Sequence, residues 1–134
     1  MALYGVKKNR YWLWKALDRH PRRVVAWVVG RRDAATFRRL YERGKGAGRV
    51  YYTDDWPSYR AVLPPEQHGI GKAGTQTIER DNANTRHYLT RLTRRGKVVS
   101  KSLTMIDLTM RLHGAFTHPA TYSAWRDIFL AVFE

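Results

Sequence analysis

The first thirty residues carry two dense apolar runs rich in aromatic and β-branched residues, as strands do, and the pattern then changes to a helical period. Tyr11 to Leu17 reads YWLWKAL, aromatic and apolar with one lysine, and predicts a strand. Asp18-Arg19-His20-Pro21 predicts a turn. Arg23 to Val29 reads RVVAWVV, rich in β-branched residues and apolar on both faces, which predicts a central strand. The short link makes the two strands a hairpin that Gly30 ends. Asp33 then sits where it can cap a helix running to about Arg43. Phe37, Leu40 and Tyr41 fall on the face turned to the sheet, and Arg38, Arg39 and Arg43 fall elsewhere. After a Gly-rich loop, Arg49 to Thr53 (RVYYT) predicts a third strand that stops at Asp54-Asp55. Trp56-Pro57-Ser58-Tyr59 turns away from it, and Pro64-Pro65 breaks the chain again.

The second half is helical in pattern. Gly69 to Gly74 reads as a loop or a very short strand. A helix is expected from about Thr75 to Arg94, with Ile78, Thr85, Leu89 and Leu92 as its buried stripe and Gly96 as its stop. Another is expected from about Ser102 to His113, and Pro119 separates it from a last helix at about 122–133. Trp125, Ile128, Phe129, Val132 and Phe133 give that last helix an apolar stripe that fits either this domain or another subunit, so a homo-oligomer stays open. The order β-β-α-β-α-α suits an α/β layer fold in one domain spanning 1–134.

Charge narrows the function. Lys and Arg number 25 against 11 Asp and Glu, a formal net charge of +14. Such an excess favours a polyanion, and nucleic acid rewards it through phosphate contacts and counterion release. With 43% hydrophobic and 27% charged residues the composition is that of a folded domain. No apolar run is long enough to span a membrane, and no strongly basic amphipathic helix is suited to lie on one. Cysteine is absent, which excludes disulfides and thiolate metal sites and fits a cytoplasmic setting.

Two acidic positions stand out. Asp54 ends a predicted strand, where α/β sheets gather ligands, and Glu79 lies early in a predicted helix. A strand-end Asp and a helix Glu can converge on a divalent cation, and hard oxygen ligands suit Mg²⁺. Two such ions would activate an attacking oxygen and stabilise a leaving one. The same acids also fit a turn former and a partner for the helix dipole. Arg80, Arg86, Arg91, Arg94, Arg95 and Lys97 crowd positive charge on and after Glu79's helix, with Gln76, Asn82 and Asn84 adding amides. That is chemistry for a phosphate backbone, or a solvated helix face. The five histidines show no HExxH spacing, no serine lies in a nucleophile elbow, and the Gly44–Gly48 run lacks the GK[ST] of a phosphate loop.

Three segments together resemble one family. Arg10 to Gly30, RYWLWKALDRHPRRVVAWVVG, resembles the tryptophan-rich hairpin of insertion-sequence-one family transposases. Thr53 to Tyr59 is similar to that family's TD-x-W-x-x-Y segment, and Thr75 to Asn84, TQTIERDNAN, to its TQ-x-IER-x-N helix. The resemblance covers about Gly5 to Leu108. It implies an RNase H-like mixed sheet flanked by helices and a DDE active site. The implied work is DNA cleavage and strand transfer at element ends and target, with two Mg²⁺ ions. It makes Asp54 similar to the second catalytic carboxylate and Glu79 to the third, both as metal ligands, with Asp55 ranked below Asp54. It implies a bacterial or archaeal cytoplasmic protein associated with the nucleoid. The family's first catalytic Asp precedes the segment matching Leu3-Tyr4-Gly5, so the resemblance implies that the first strand is largely missing from this sequence. Asp18 is expected at the far edge of the sheet and so a poor substitute. The chain alone is therefore expected to hold DNA and cleave it poorly. A non-catalytic DNA-binding remnant or regulator, and a different RNase H-like nuclease, remain as alternatives.

Overall fold

The computed structural model describes residues 11–89, 92 and 102–132. Strand β1 (Trp12–Asp18) pairs antiparallel with β2 (Arg23–Gly30), from Trp12 opposite Gly30 to Asp18 opposite Arg23. The register shifts between Ala16 and Leu17, and Arg22 takes φ of 51° where the turn re-enters β2. Because side chains alternate along each strand, the hairpin has two apolar faces. Trp14, Ala26 and Val28 point one way, onto Phe37 and Leu40 of α1 (Ala34–Gly44) and onto Leu63. Leu13 points the other way and packs with Leu92, Ile106 and Met110, flanked by Trp27 and Val29. The reading of β2 as apolar on both faces follows from this sandwiching.

Helix α1 starts where its cap allows. The Asp33 carboxylate accepts from the Thr36 N–H at 2.8 Å, and this hydrogen bond holds its pKa below the usual carboxylate value. Gly30 lets the hairpin's end approach the helix, since a Cβ there would come within 2.6 Å of Thr36 Cγ2. Strand β3 (Tyr51–Thr53), helix α2 (Pro57–Arg60) and the 3₁₀ turn Pro65–Gln67 lead to β4 (His68–Ile70). Of the stretch Gly69 to Gly74 read as loop or short strand, only Gly69 and Ile70 fall in β4, which runs parallel to β3 with Tyr52 opposite Gly69, while Lys72 to Gly74 already belong to the helix that follows.

Helix α3 (Lys72–Tyr88) begins earlier and ends sooner than its periodicity predicts. Thr85 and Leu92 of the expected stripe are buried, while Ile78 and Leu89 are half-buried. Helix α4 (Leu103–Thr117) is capped by Ser102, whose Oγ accepts from the Met105 N–H at 3.3 Å. It docks on β2 through Ile106 and Met110, and Trp27 Nε1 donates to the Asp107 carboxylate at 2.9 Å. Hydrogen bonds from Arg111 first and Trp27 second lower the Asp107 pKa. Helix α5 (Pro119–Ala131) follows after His118 alone. Pro119, expected to separate two helices, instead occupies the first turn of α5, where its missing N–H costs no hydrogen bond.

The architecture is mixed α/β. Among the described residues its strands form two two-stranded sheets, β1–β2 and β3–β4, rather than the single mixed sheet expected. A cleft lined by β1 and β3 separates them. The Leu3-Tyr4-Gly5 segment, which the resemblance sets just after the strand of the family's first catalytic Asp, lies outside the described residues.

Candidate active site

Asp54 is placed by the aromatic residues that follow it. Trp56 lies 5.6 Å from the Trp14 ring, and Tyr59 lies 4.7 Å from Phe37 and 5.3 Å from Trp56 in edge-on contacts. These rings join the core beneath α1, so the turn after Asp54 is anchored by apolar burial and edge-to-face packing. Burial first, and the nearby Asp54 charge second, push the Tyr59 hydroxyl pKa up to about 12. Thr53 Oγ1 lies 2.6 Å from His68 Nε2, which ties the end of β3 to β4. Asp54 itself is exposed. Asp55 pairs with Arg60 on the surface, so its charge is already matched.

Glu79 is placed by polar and steric contacts instead. A Cβ on Gly74 would lie 2.6 Å from the Tyr52 Cβ, so the glycine lets the first turns of α3 close on β3. Lower on the same helix, Asp81 forms an ion pair with Lys15 of β1, whose side chain is 1% exposed. Lys15 Nζ also donates to Thr85 Oγ1 at 2.7 Å, and Thr85 Oγ1 donates to the Asp81 backbone carbonyl at 2.7 Å. Burial lowers the Lys15 pKa, and the Asp81 hydrogen bond and charge oppose that shift. Sequence reasoning missed this clamp. Its signal was the single lysine inside an apolar strand, facing an Asp and a Thr four residues apart on one helix face.

The two walls meet at a cleft of about 530 Å³ lined by both Asp54 and Glu79. Thr53, Asn82 and Lys15 line it too, as do Arg19, Arg32 and Arg49. Carboxylates thus sit among cations, an arrangement that suits a phosphodiester lying between them. Asp18 also lines the cleft, although its place at the end of β1 predicted the far edge of the sheet. Its Oδ1 accepts from the His20 N–H at 3.1 Å. Among the described residues no three His, Cys, Asp or Glu side chains gather closely enough to hold a metal. The donor chemistry lining the cleft includes hard carboxylates, a kind of ligand that suits Mg²⁺ bound partly through substrate.

Of the predicted cations, Arg80 is exposed on α3 and Arg86 is half-buried, close enough to Lys15 to depress its pKa. Arg91, Arg94, Arg95 and Lys97 lie outside the described residues.

Comparison with known proteins decides the lineage. The profile described as IS1 transposase matches residues 1–122. The chain belongs to the IS1 transposase family. It is 42% identical over 104 residues to the insertion element IS1 protein InsB of Shigella flexneri, covering 77% of this chain and 79% of that protein. It is 41% identical over 104 residues to the insertion element IS1 2 protein InsB of Escherichia coli K12. There the match spans 77% of this chain but only 62% of the relative. No solved structure matches the chain. Among the described residues no helix is long and apolar enough to cross a membrane.

Proposed function

We propose that this chain is the catalytic-domain portion of a transposase, an RNase H-like unit spanning 1–134 that positions DNA ends for cleavage and strand transfer to a target. The single observation that carries this reading is that Asp54 and Glu79, a strand-end acid and a helix acid, line one cleft of about 530 Å³. When bound, Mg²⁺ would supply Lewis-acid polarisation of the phosphodiester and a more acidic attacking water or hydroxyl. Asp54 and Glu79 are the groups that would hold it. Arg19, Arg32 and Arg49 offset the phosphate charge at the cleft walls, and Arg80 and Arg86 extend that surface along α3. The aromatic anchor keeps Asp54 fixed, and the Lys15–Asp81 clamp keeps α3 in place. Both reduce the reorganisation needed when DNA enters.

The test uses duplex DNA carrying element ends, with Mg²⁺ and with EDTA. The chain is expected to nick it slowly, and only with Mg²⁺. Asp54→Asn and Glu79→Gln are each expected to lower the rate by about 100-fold or more while DNA retention at low salt is kept. Undiminished nicking in either variant would overturn the assignment. A second reading, a non-catalytic DNA-binding remnant or regulator of transposition, is supported by the described residues holding no group of three His, Cys, Asp or Glu side chains close enough to bind a metal. Retention of DNA with no nicking by the unmodified chain, under any metal, would establish it in place of the first.

A further inference from the structure

Helix α4 carries two apolar stripes. Ile106 and Met110 spend one of them on the hairpin. Met105, Leu108, Leu112 and Phe116 recur every three or four residues on the other side, and all four are exposed. Helix α5 buries no residue at all, and Tyr122, Trp125, Ile128 and Val132 are each more than half exposed. The Phe116 and Trp125 rings meet at 6.0 Å, which joins the two exposed stripes into one surface. Single exposed apolar residues are ordinary, but a contiguous patch of this kind marks an interaction site.

Area and charge together choose the occupant. At about half exposure these eight side chains leave on the order of 800 Å² uncovered, which is what one partner contributes to a stable protein interface. The whole chain carries +14, yet residues 103–132 hold only Asp107, Asp127, Arg111 and Arg126 as full charges, a net of zero. Those four pair with one another, Arg111 with Asp107 and Arg126 with Asp127. A copy of this chain is repelled by the basic surface elsewhere and meets no repulsion here. DNA and anionic lipid find no net attraction on the same face. We propose that the α4–α5 face docks a second copy of the chain, the same stripe on each copy meeting around a two-fold axis.

Sedimentation of the intact, nucleic-acid-free chain across a concentration series tests this. A dimer is expected, and added salt should preserve or tighten it, because salt screens the repulsion between two basic chains and does not weaken apolar contact. Trp125→Glu and Leu112→Glu, placed on either side of the Phe116–Trp125 join, are each expected to weaken the dimer by about 100-fold. The circular dichroism of the diluted Trp125→Glu monomer should match that of the diluted unmodified chain, since α5 contributes nothing to the core. A chain that stays monomeric throughout would overturn the proposal. So would a dimer that salt dissolves, a dimer indifferent to both substitutions, or a monomer that partitions onto neutral phosphatidylcholine vesicles through this face.

Discussion

The two walls of the cleft hold their carboxylates by opposite means. On the Asp54 side, Trp56 and Tyr59 insert among Trp14 and Phe37, and many small dispersion contacts fix the turn. On the Glu79 side, one buried ion pair and one close glycine contact do the fixing, through Lys15–Asp81 and Gly74–Tyr52. The first kind of anchor is non-directional, so it degrades in proportion to the area removed. The second is directional, and half of it is worse than none, because a lone buried charge keeps its desolvation cost after losing its partner. The IS1 family member thus combines a forgiving wall with a brittle one around a single cleft.

Substitutions separate these behaviours. The largest effect is expected at the aromatic wall. Trp14→Ala removes a ring that touches Phe37, Trp56 and Tyr59, along with the Nε1 hydrogen bond to the Arg31 carbonyl. A loss of about 3–5 kcal/mol in urea unfolding is expected, and a loss below about 1 kcal/mol would show that the rings do not anchor this wall. Asp81→Ala comes next, at about 3 kcal/mol, because Lys15 stays buried without its counter-charge. Replacing both partners with apolar residues, Lys15→Met with Asp81→Leu, should recover most of that loss. A double replacement as damaging as the sum of the single ones, in a thermal double-mutant cycle, would refute the brittle-wall account.

Alkaline pH acts on the aromatic wall through Tyr59, with a smaller effect. The Tyr59 hydroxyl is raised from 10.0 to about 12 in the fold. Below the ordinary tyrosine pKa it is neutral in both states and its full contribution is present. As pH rises from 10 toward 12 the unfolded chain loses the proton first, so folding stability falls across that window. The drop is expected to reach about 2 kcal/mol, and Tyr59→Phe should remove that part of the slope in a pH series of denaturation midpoints. An unchanged slope in Tyr59→Phe would show that Tyr59 is not held neutral by burial.

Much of this was legible along the chain because it is local. The hairpin follows from the aromatic and β-branched runs YWLWKAL and RVVAWVV joined by a short turn, and the start of α1 follows from Asp33 at its cap. The Asp54 and Glu79 segments stood out as a strand end and a helix start. Other readings needed contacts between distant residues. Trp56 and Tyr59 read as a turn, yet their rings reach back some forty residues in sequence to complete Trp14's surroundings. Lys15 read as an interruption of a strand until α3 brought Asp81 and Thr85 to it.

Sequence by itself therefore determined the elements, the basic charge and the two acids, because periodicity, caps and composition act within a few residues. Only the tertiary structure decided which acids share a space, which cation is buried, and which apolar stripe is left uncovered. It split the expected sheet into two pairs and turned Asp18 toward the cleft. The α5 stripe shows the division most plainly. Its spacing dictates an apolar face, but whether that face is spent depends on what packs there. In this fold α4 has already used its other stripe on the hairpin, through Ile106 and Met110, and no hairpin surface is left for α5 to cover.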